Sequence, residues 1–260
     1  MLDDVRQPAD PAQQPTARPV EQVDALVDPD RRRPSAGRDQ GAVGGERGGV
    51  GLAHVAEDGK LLQTLRLPAG PGDVGKAYAA ALSPDGALVA AGGWTSTTGT
   101  DESVYLFDRA SGRLLRRVGG LPDVVHHLAF SPDGTRLAAA LGSGGGVRLI
   151  DPAAGRVVAA DEGYGGDSYG AAFDAAGRLA TTSYDGKVRL YDPGLRLLRA
   201  AEAPSGKLPE GIAFSPDGKR LAVGYNSLTA VDVLDADTLQ RLYAADTKGV
   251  KVVGQFELLP

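Results

Sequence analysis

The sequence predicts an all-β fold made of four consecutive, four-stranded antiparallel units. Three observations carry the prediction: a recurring hairpin-turn marker, a recurring acidic residue at the end of an apolar strand, and strands that are apolar on both faces. The turn marker reads Leu82-Ser83-Pro84-Asp85-Gly86, Phe130-Ser131-Pro132-Asp133-Gly134, Phe173-Asp174-Ala175-Ala176-Gly177 and Phe214-Ser215-Pro216-Asp217-Gly218, at spacings of 48, 43 and 41 residues. The acidic marker reads Phe107-Asp108, Ile150-Asp151, Tyr191-Asp192 and Leu234-Asp235, at spacings of 43, 41 and 43. Two independent markers share one period, and a period of this length signals a repeat architecture.

Each unit has the same internal order. In the second, Val125 to Phe130 is a first strand, residues 131–134 a turn, Arg136 to Ala140 a second strand, Gly142 to Gly146 a loop and Val147 to Ile150 a third strand. Pro152 to Gly155 then turns into Arg156-Val157-Val158-Ala159, completing a meander. Proline presets φ near −65°, Asp bonds its own backbone, and Gly accepts the positive φ that closes the hairpin. Runs such as Leu137-Ala138-Ala139-Ala140 lack polar alternation. A sheet sandwiched between two others gives that pattern, and small residues suit the narrow inner end of a wedge-shaped blade. The expected architecture is a β-propeller with blades at about 74–118, 123–161, 166–203 and 208–246. Val50 to Val55 and Leu61 to Leu67 read as strands three and four of a preceding unit, and Val250 to Leu258 as one strand; joined, they would give a fifth, incomplete blade that latches the propeller but lacks a second strand and its turn. The repeat stops without a terminal blade, so the expected form is an open arc, whose unpaired edges predict self-association.

Residues 1–50 differ in character. Pro8, Pro11, Pro15, Pro19, Pro29 and Pro34 punctuate them, Arg31-Arg32-Arg33 follows, and no apolar period persists. Too little apolar surface is present to offset ordering entropy, so this segment reads as disordered or as a non-native extension. The chain carries a formal charge of −5 and no cysteine. The mild charge argues against nucleic acid and against an anionic membrane surface as partners. The missing cysteine excludes disulfides, thiolate metal sites and a cysteine nucleophile within these 260 residues. The start shows no basic and apolar leader, and no apolar run reaches membrane-spanning length, so the expected location is the cytoplasm.

The residues that follow the turns resemble a known family. Phe130-Ser131-Pro132-Asp133-Gly134 followed by Arg136-Leu137-Ala138, and Asp185-Gly186-Lys187-Val188-Arg189-Leu190-Tyr191-Asp192, are similar to bacterial WD40 repeats. The stretch Pro209 to Phe214 also resembles repeats of lactonase-type propellers, and the middle of the chain is similar to WD40 regions that accompany caspase-like peptidase domains. The resemblance covers about two thirds of the chain and implies a fold rather than an activity. The family's Gly-His pair is missing, and Phe107, Ile150, Tyr191 and Leu234 stand where Trp precedes the terminal Asp.

Three motifs look chemical but lack their structural context. Residues 70–76 have phosphate-loop spacing, yet Ala77 stands where a hydroxyl should ligate Mg²⁺. Gly166-Asp167-Ser168-Tyr169-Gly170 matches a nucleophile elbow, but His54, His126 and His127 all precede the serine. Adjacent strand residues point to opposite faces, so His126 and His127 cannot chelate one metal together. The expectation is therefore a non-enzymatic protein–protein interaction scaffold, or a fragment of a larger multidomain protein, without metal or cofactor. The alternative is a lactonase- or quinoprotein-type propeller enzyme with carboxylates, His or Arg converging on a central channel.

The aromatic residues point to a binding face. Trp94, Tyr164, Tyr169, Tyr184 and Tyr225 fall in or beside connections that a propeller gathers on one end, with Asp167 and Asn226 among them. Tyrosine and tryptophan supply large, stiff contact area at interfaces. These seven residues are the predicted contacts for a protein partner, whose identity the residues do not specify.

Overall fold

The computed structural model describes residues 51–55, 61–67, 76–96, 101–226 and 228–246. The segment 1–50, most of the phosphate-loop-like stretch and the strand expected at 250–258 lie outside them. The described residues form an all-β structure. A two-stranded hairpin, β1 (Gly51–Val55) and β2 (Leu61–Arg66), precedes four four-stranded antiparallel meanders. Blade 1 contains β3 (Lys76–Leu82), β4 (Leu88–Trp94), β5 (Glu102–Asp108) and β6 (Leu114–Leu121). Blade 2 contains β7 (Val125–Phe130), β8 (Leu137–Leu141), β9 (Val147–Asp151) and β10 (Arg156–Asp161). Blade 3 contains β11 (Ser168–Phe173), β12 (Leu179–Ser183), β13 (Lys187–Tyr191) and β14 (Leu197–Glu202). Blade 4 contains β15 (Pro209–Phe214), β16 (Arg220–Tyr225), β17 (Val231–Asp235) and β18 (Arg241–Ala244). No described sheet closes on another, as an open, propeller-type array requires. No helix among the described residues is long and apolar enough to cross a membrane.

The markers work as their chemistry predicts. In three of the four strand-one turns the serine hydroxyl and the aspartate bond each other: Ser83 to Asp85 at 2.5 Å, Ser131 to Asp133 at 2.6 Å and Ser215 to Asp217 at 2.6 Å. The same hydroxyls accept the amides of Leu88, Arg136 and Arg220, where strand two begins. The third turn has no serine. There Asp174 accepts the amides of Ala176 and Arg178 at 3.0 and 2.8 Å and pairs with the Arg178 side chain. Gly86, Gly134, Gly177 and Gly218 close these turns at φ between 68° and 80°, in the left-handed region. The acidic marker is a second turn device. Asp108 accepts the Ser111 amide, Asp151 that of Ala154, Asp192 those of Gly194 and Arg196, and Asp235 those of Asp237 and Thr238.

Packing runs from blade to blade. Val104, Leu106 and Leu121 of blade 1 meet Val125, Leu137 and Ile150 of blade 2. Val147 and Leu149 of blade 2 meet Leu179 and Tyr191 of blade 3, and Val188 and Leu190 of blade 3 meet Leu221, Val223 and Leu234 of blade 4. Leu65 and Leu67, in and just after β2, cover the other side of blade 1, against Val89, Tyr105 and Phe107. Strands β8 and β12 are buried at every position, which accounts for their unbroken apolar or small-residue runs. Blade 4 alternates instead: Leu221, Val223, Asp232 and Leu234 are buried, while Val231 and Val233 on the far side are only half-buried. Their register equivalents Val147 and Leu149 in blade 2 are fully covered.

Candidate interaction face

Strand one carries a β-bulge in every blade. Pairing with strand two shifts between Ala77 and Ala79, Val125 and His127, Ser168 and Gly170, and Pro209 and Ile212. Tyr78, His126 and Tyr169 are the extra residues, and Glu210 lies in the wider fourth bulge. A bulge re-aims the side chain it carries, and these sit at sheet ends, where such re-aiming serves binding sites. The position just after strand two adds a second residue per blade: Trp94 ends β4, while Gly142, Tyr184 and Asn226 follow β8, β12 and β16. The repeat thus gives each blade two equivalent positions at its end, of which blade 2 fills only one with a side chain because the other is Gly142.

Across blades 2 to 4 these positions join into a continuous row. The His126 and Tyr169 rings stack with centroids 4.4 Å apart, and Tyr169 lies 4.2 Å from Tyr184. The Tyr184 hydroxyl donates to the Glu210 carboxylate at 3.2 Å, and the Asn226 amide donates to the same oxygen at 2.7 Å. Asp167 flanks the row. It accepts the Tyr169 hydroxyl at 3.3 Å and the Ser143 amide at 2.6 Å, and its carboxylate stands 4.0 Å from His126 Nε2. Asp123 approaches from blade 2: a Cβ at Gly142 would sit 2.6 Å from Asp123 Oδ1 and 3.0 Å from His126 Nε2, so both side chains converge over that glycine. Gly170, beside Tyr169, has no room for a Cβ, which would stand 2.5 Å from both the Glu210 carbonyl and the Thr182 hydroxyl. That close approach, with Thr182 donating to the Glu210 carbonyl at 2.7 Å, holds blade 4 against blade 3 beneath the row.

Of the seven residues singled out in the sequence, the structure brings Asp167, Tyr169, Tyr184 and Asn226 together. Trp94, 45% exposed, ends β4 on blade 1 at the position equivalent to Tyr184, and its indole N–H donates to the Ser96 carbonyl. Tyr164 and Tyr225 do not join the face. Tyr164 is 7% exposed and turns inward, its hydroxyl bonded to Thr181 at 2.6 Å and Tyr191 at 2.8 Å. Burial pushes its phenol up to about 12. Tyr225 is 9% exposed because it is the last inward-pointing position of β16, equivalent to Leu141 and Ser183. Its hydroxyl donates to Asp232, which is fully buried and also accepts the Ser205 amide at 2.9 Å. His126 and Glu210, absent from the sequence-based set, are central to the row. Their signal was readable: each bulge residue stands four positions before its turn marker, ahead of Leu82, Phe130, Phe173 and Phe214. His127, the neighbour of His126, is exposed. Among the described residues no group of three or more His, Asp or Glu is arranged to hold a metal ion.

The buried Asp232 gives a pH prediction. Burial alone would raise its pKa, but the hydrogen bonds from Tyr225 and Ser205 outweigh that and lower it. A carboxylate with a depressed folded pKa contributes stability that is present above the unfolded value, about 4, and lost as pH falls through the folded one. Melting temperature followed from pH 6 to pH 2 should therefore fall less steeply for Asp232→Asn than for the unmodified protein. Parallel acid limbs would show that Asp232 makes no such contribution.

Residues 113–151 match the family model of the WD domain, G-beta repeat. The matched stretch runs from β6 to the end of β9, so it supplies the last strand of blade 1 and the first three of blade 2. One repeat unit thereby stitches two neighbouring sheets together. A search of curated proteins finds none that matches this chain. The WD40 repeat and the stacked four-stranded sheets support a propeller-type repeat protein.

Proposed function

We propose that this protein is a non-catalytic interaction module that binds another protein through the His126–Tyr169–Tyr184–Glu210 face. The observation that carries the reading is the bulge repeated at one position in every blade, which turns successive aromatic and polar side chains onto one end of a rigid array. Rigid aromatic side chains flanked by hydrogen-bonding groups are the usual anchors of protein interfaces, because they give large contact area at low entropic cost. The β-sheets beneath supply the preorganisation.

Site-specific photo-crosslinking tests this in native lysate. A benzophenone amino acid in place of Asn226 on the face is expected to capture a discrete partner, while the same probe in place of Leu198, exposed on β14, captures none. Equal capture from both positions, or capture from Leu198 alone, would overturn the assignment.

A further inference from the structure

We propose that the far face of blade 4 is a docking site for residues 251–256 of the same chain, which continue the array as strand one of a further sheet. Equivalent positions along the repeat reveal the open face. Gly92 and Gly224 each stand three residues after the strand-two residue that pairs with Leu82 or Phe214. A Cβ on Gly92 would stand 3.0 Å from Val125 Cβ, on strand one of the next blade. A Cβ on Gly224 would meet nothing within 4 Å among the described residues. Gly170 and Gly211 each stand three residues before the end of strand one. A Cβ on Gly170 would stand 2.9 Å from Ile212 Cγ2 of blade 4, and one on Gly211 would again meet nothing within 4 Å among the described residues. On the earlier blades, strand one of the following blade supplies the cover at both positions. On blade 4, Ala213, Ala222, Val233 and Tyr243 are direct cross-strand neighbours on this face and carry no charge. Tyr243 is 49% exposed. Burying such a row is favourable in proportion to the apolar area it removes from water.

The amino-acid spacing names the occupant. Leu82, Phe130, Phe173 and Phe214 end strand one at spacings of 48, 43 and 41 residues, and Phe256 follows Phe214 at 42. Six residues separate strand four from the next strand one after blades 2 and 3, and six separate Ala244 from Lys251. In Lys251-Val252-Val253-Gly254-Gln255-Phe256, the phenylalanine falls at the register of Phe214, which packs against blade 3. A second copy of the chain is the rival occupant, and the available area argues against it. Four strands about 4.8 Å apart, five residues long at about 3.4 Å each, present roughly 300 Å². Stable complexes bury roughly 800 Å² per partner. A segment tethered through six residues acts at an effective concentration of about millimolar, so it needs far less area than a separate molecule.

The chain has no cysteine, so engineered pairs report on this contact alone. Lys251 is the register equivalent of Val125, as Gly224 is of Gly92. In the full chain, Gly224→Cys/Lys251→Cys should form an intramolecular disulfide under mild oxidation about tenfold faster than the register-shifted pair Gly224→Cys/Val252→Cys, because only the first places its Cβ atoms within bridging reach. Both pairs share one tether, so the difference reads register rather than proximity along the chain. A second matched pair, Gly211→Cys/Gly254→Cys, follows from the contact of Gly170 with Ile212 and should close in the same way. Non-reducing electrophoresis and peptide mass spectrometry identify the bridges, and far-UV circular dichroism of the reduced variants checks that they fold. Equal rates for the matched and shifted pairs, or no bridge from either matched pair, would overturn the proposal. So would bridges between two chains in place of bridges within one, since a second copy would then be the occupant. The interaction role of the end face is tested separately by crosslinking at Asn226.

Discussion

Replacing Arg189 with Ala is expected to destabilise the protein by about 3–5 kcal/mol, the usual result of breaking a buried ion pair from one side. The Arg189 and Asp185 side chains are 5% and 10% exposed. Burial works against the charge on both. The pair prevails over it, lowering the carboxylate's pKa below its ordinary value and raising the guanidinium's above. Without Arg189, the Asp185 carboxylate keeps the amides of Gly165 and Lys187 at 3.1 Å but no counter-charge, and Tyr164 loses the cation over its ring. Equilibrium denaturant unfolding measures the effect. Adding Asp185→Asn to Arg189→Ala should recover part of the loss, since the uncompensated charge is then gone. A loss below about 1 kcal/mol for the single variant would mean that the pair is solvated and carries no such weight.

Tyr191 is the second large effect. It is fully buried where blade 3 meets blade 2, and its hydroxyl donates to Asp161 at 2.8 Å while bonding Tyr164. Burial and the neighbouring Tyr164 hydroxyl push its pKa well above the ordinary tyrosine value, so it stays a neutral donor throughout the physiological range. Tyr191→Ala removes a large core side chain and is expected to cost about 3–5 kcal/mol. Tyr191→Phe keeps the ring and takes one hydrogen-bond partner from each of Asp161 and Tyr164, which keep the Gly163 amide and Thr181, for a cost of about 1 kcal/mol. The two variants should rank in that order in the same unfolding experiment. If Phe costs as much as Ala, the polar network rather than packing joins the blades here.

Among the described residues the apolar clusters join each blade to its neighbour, so losses at such a junction propagate along a one-dimensional stack. That stacking was legible in the sequence because its devices are local. Ser131, Asp133 and Gly134 fix a turn within a few residues, and Asp151 caps the next one. The third unit departs in letters but not in chemistry, since Asp174 alone accepts the amides that a serine and an aspartate share elsewhere.

The face was only half legible. Its tyrosines were visible as aromatic residues near loops, but nearness to a loop does not set direction. Tyr225 and Asn226 are neighbours, and the pleat sends the first into the core and the second outward. His126 and Glu210 were missed because a bulge breaks the two-residue alternation from which side-chain direction is read. His126 is the residue extra to the ladder, with its ring stacked on Tyr169 of the next blade, while His127 pairs with Ala140.

The central claim is that Tyr169 and Tyr184 serve recognition rather than folding, and the Tyr169→Ala/Tyr184→Ala double variant tests it most directly. With both rings half exposed, the account predicts a melting temperature within about 4 °C of the unmodified protein, together with loss of photo-crosslinking from Asn226. A fall in melting temperature as large as that of Tyr191→Ala, with crosslinking preserved in the folded fraction, would contradict it and assign the row to the core.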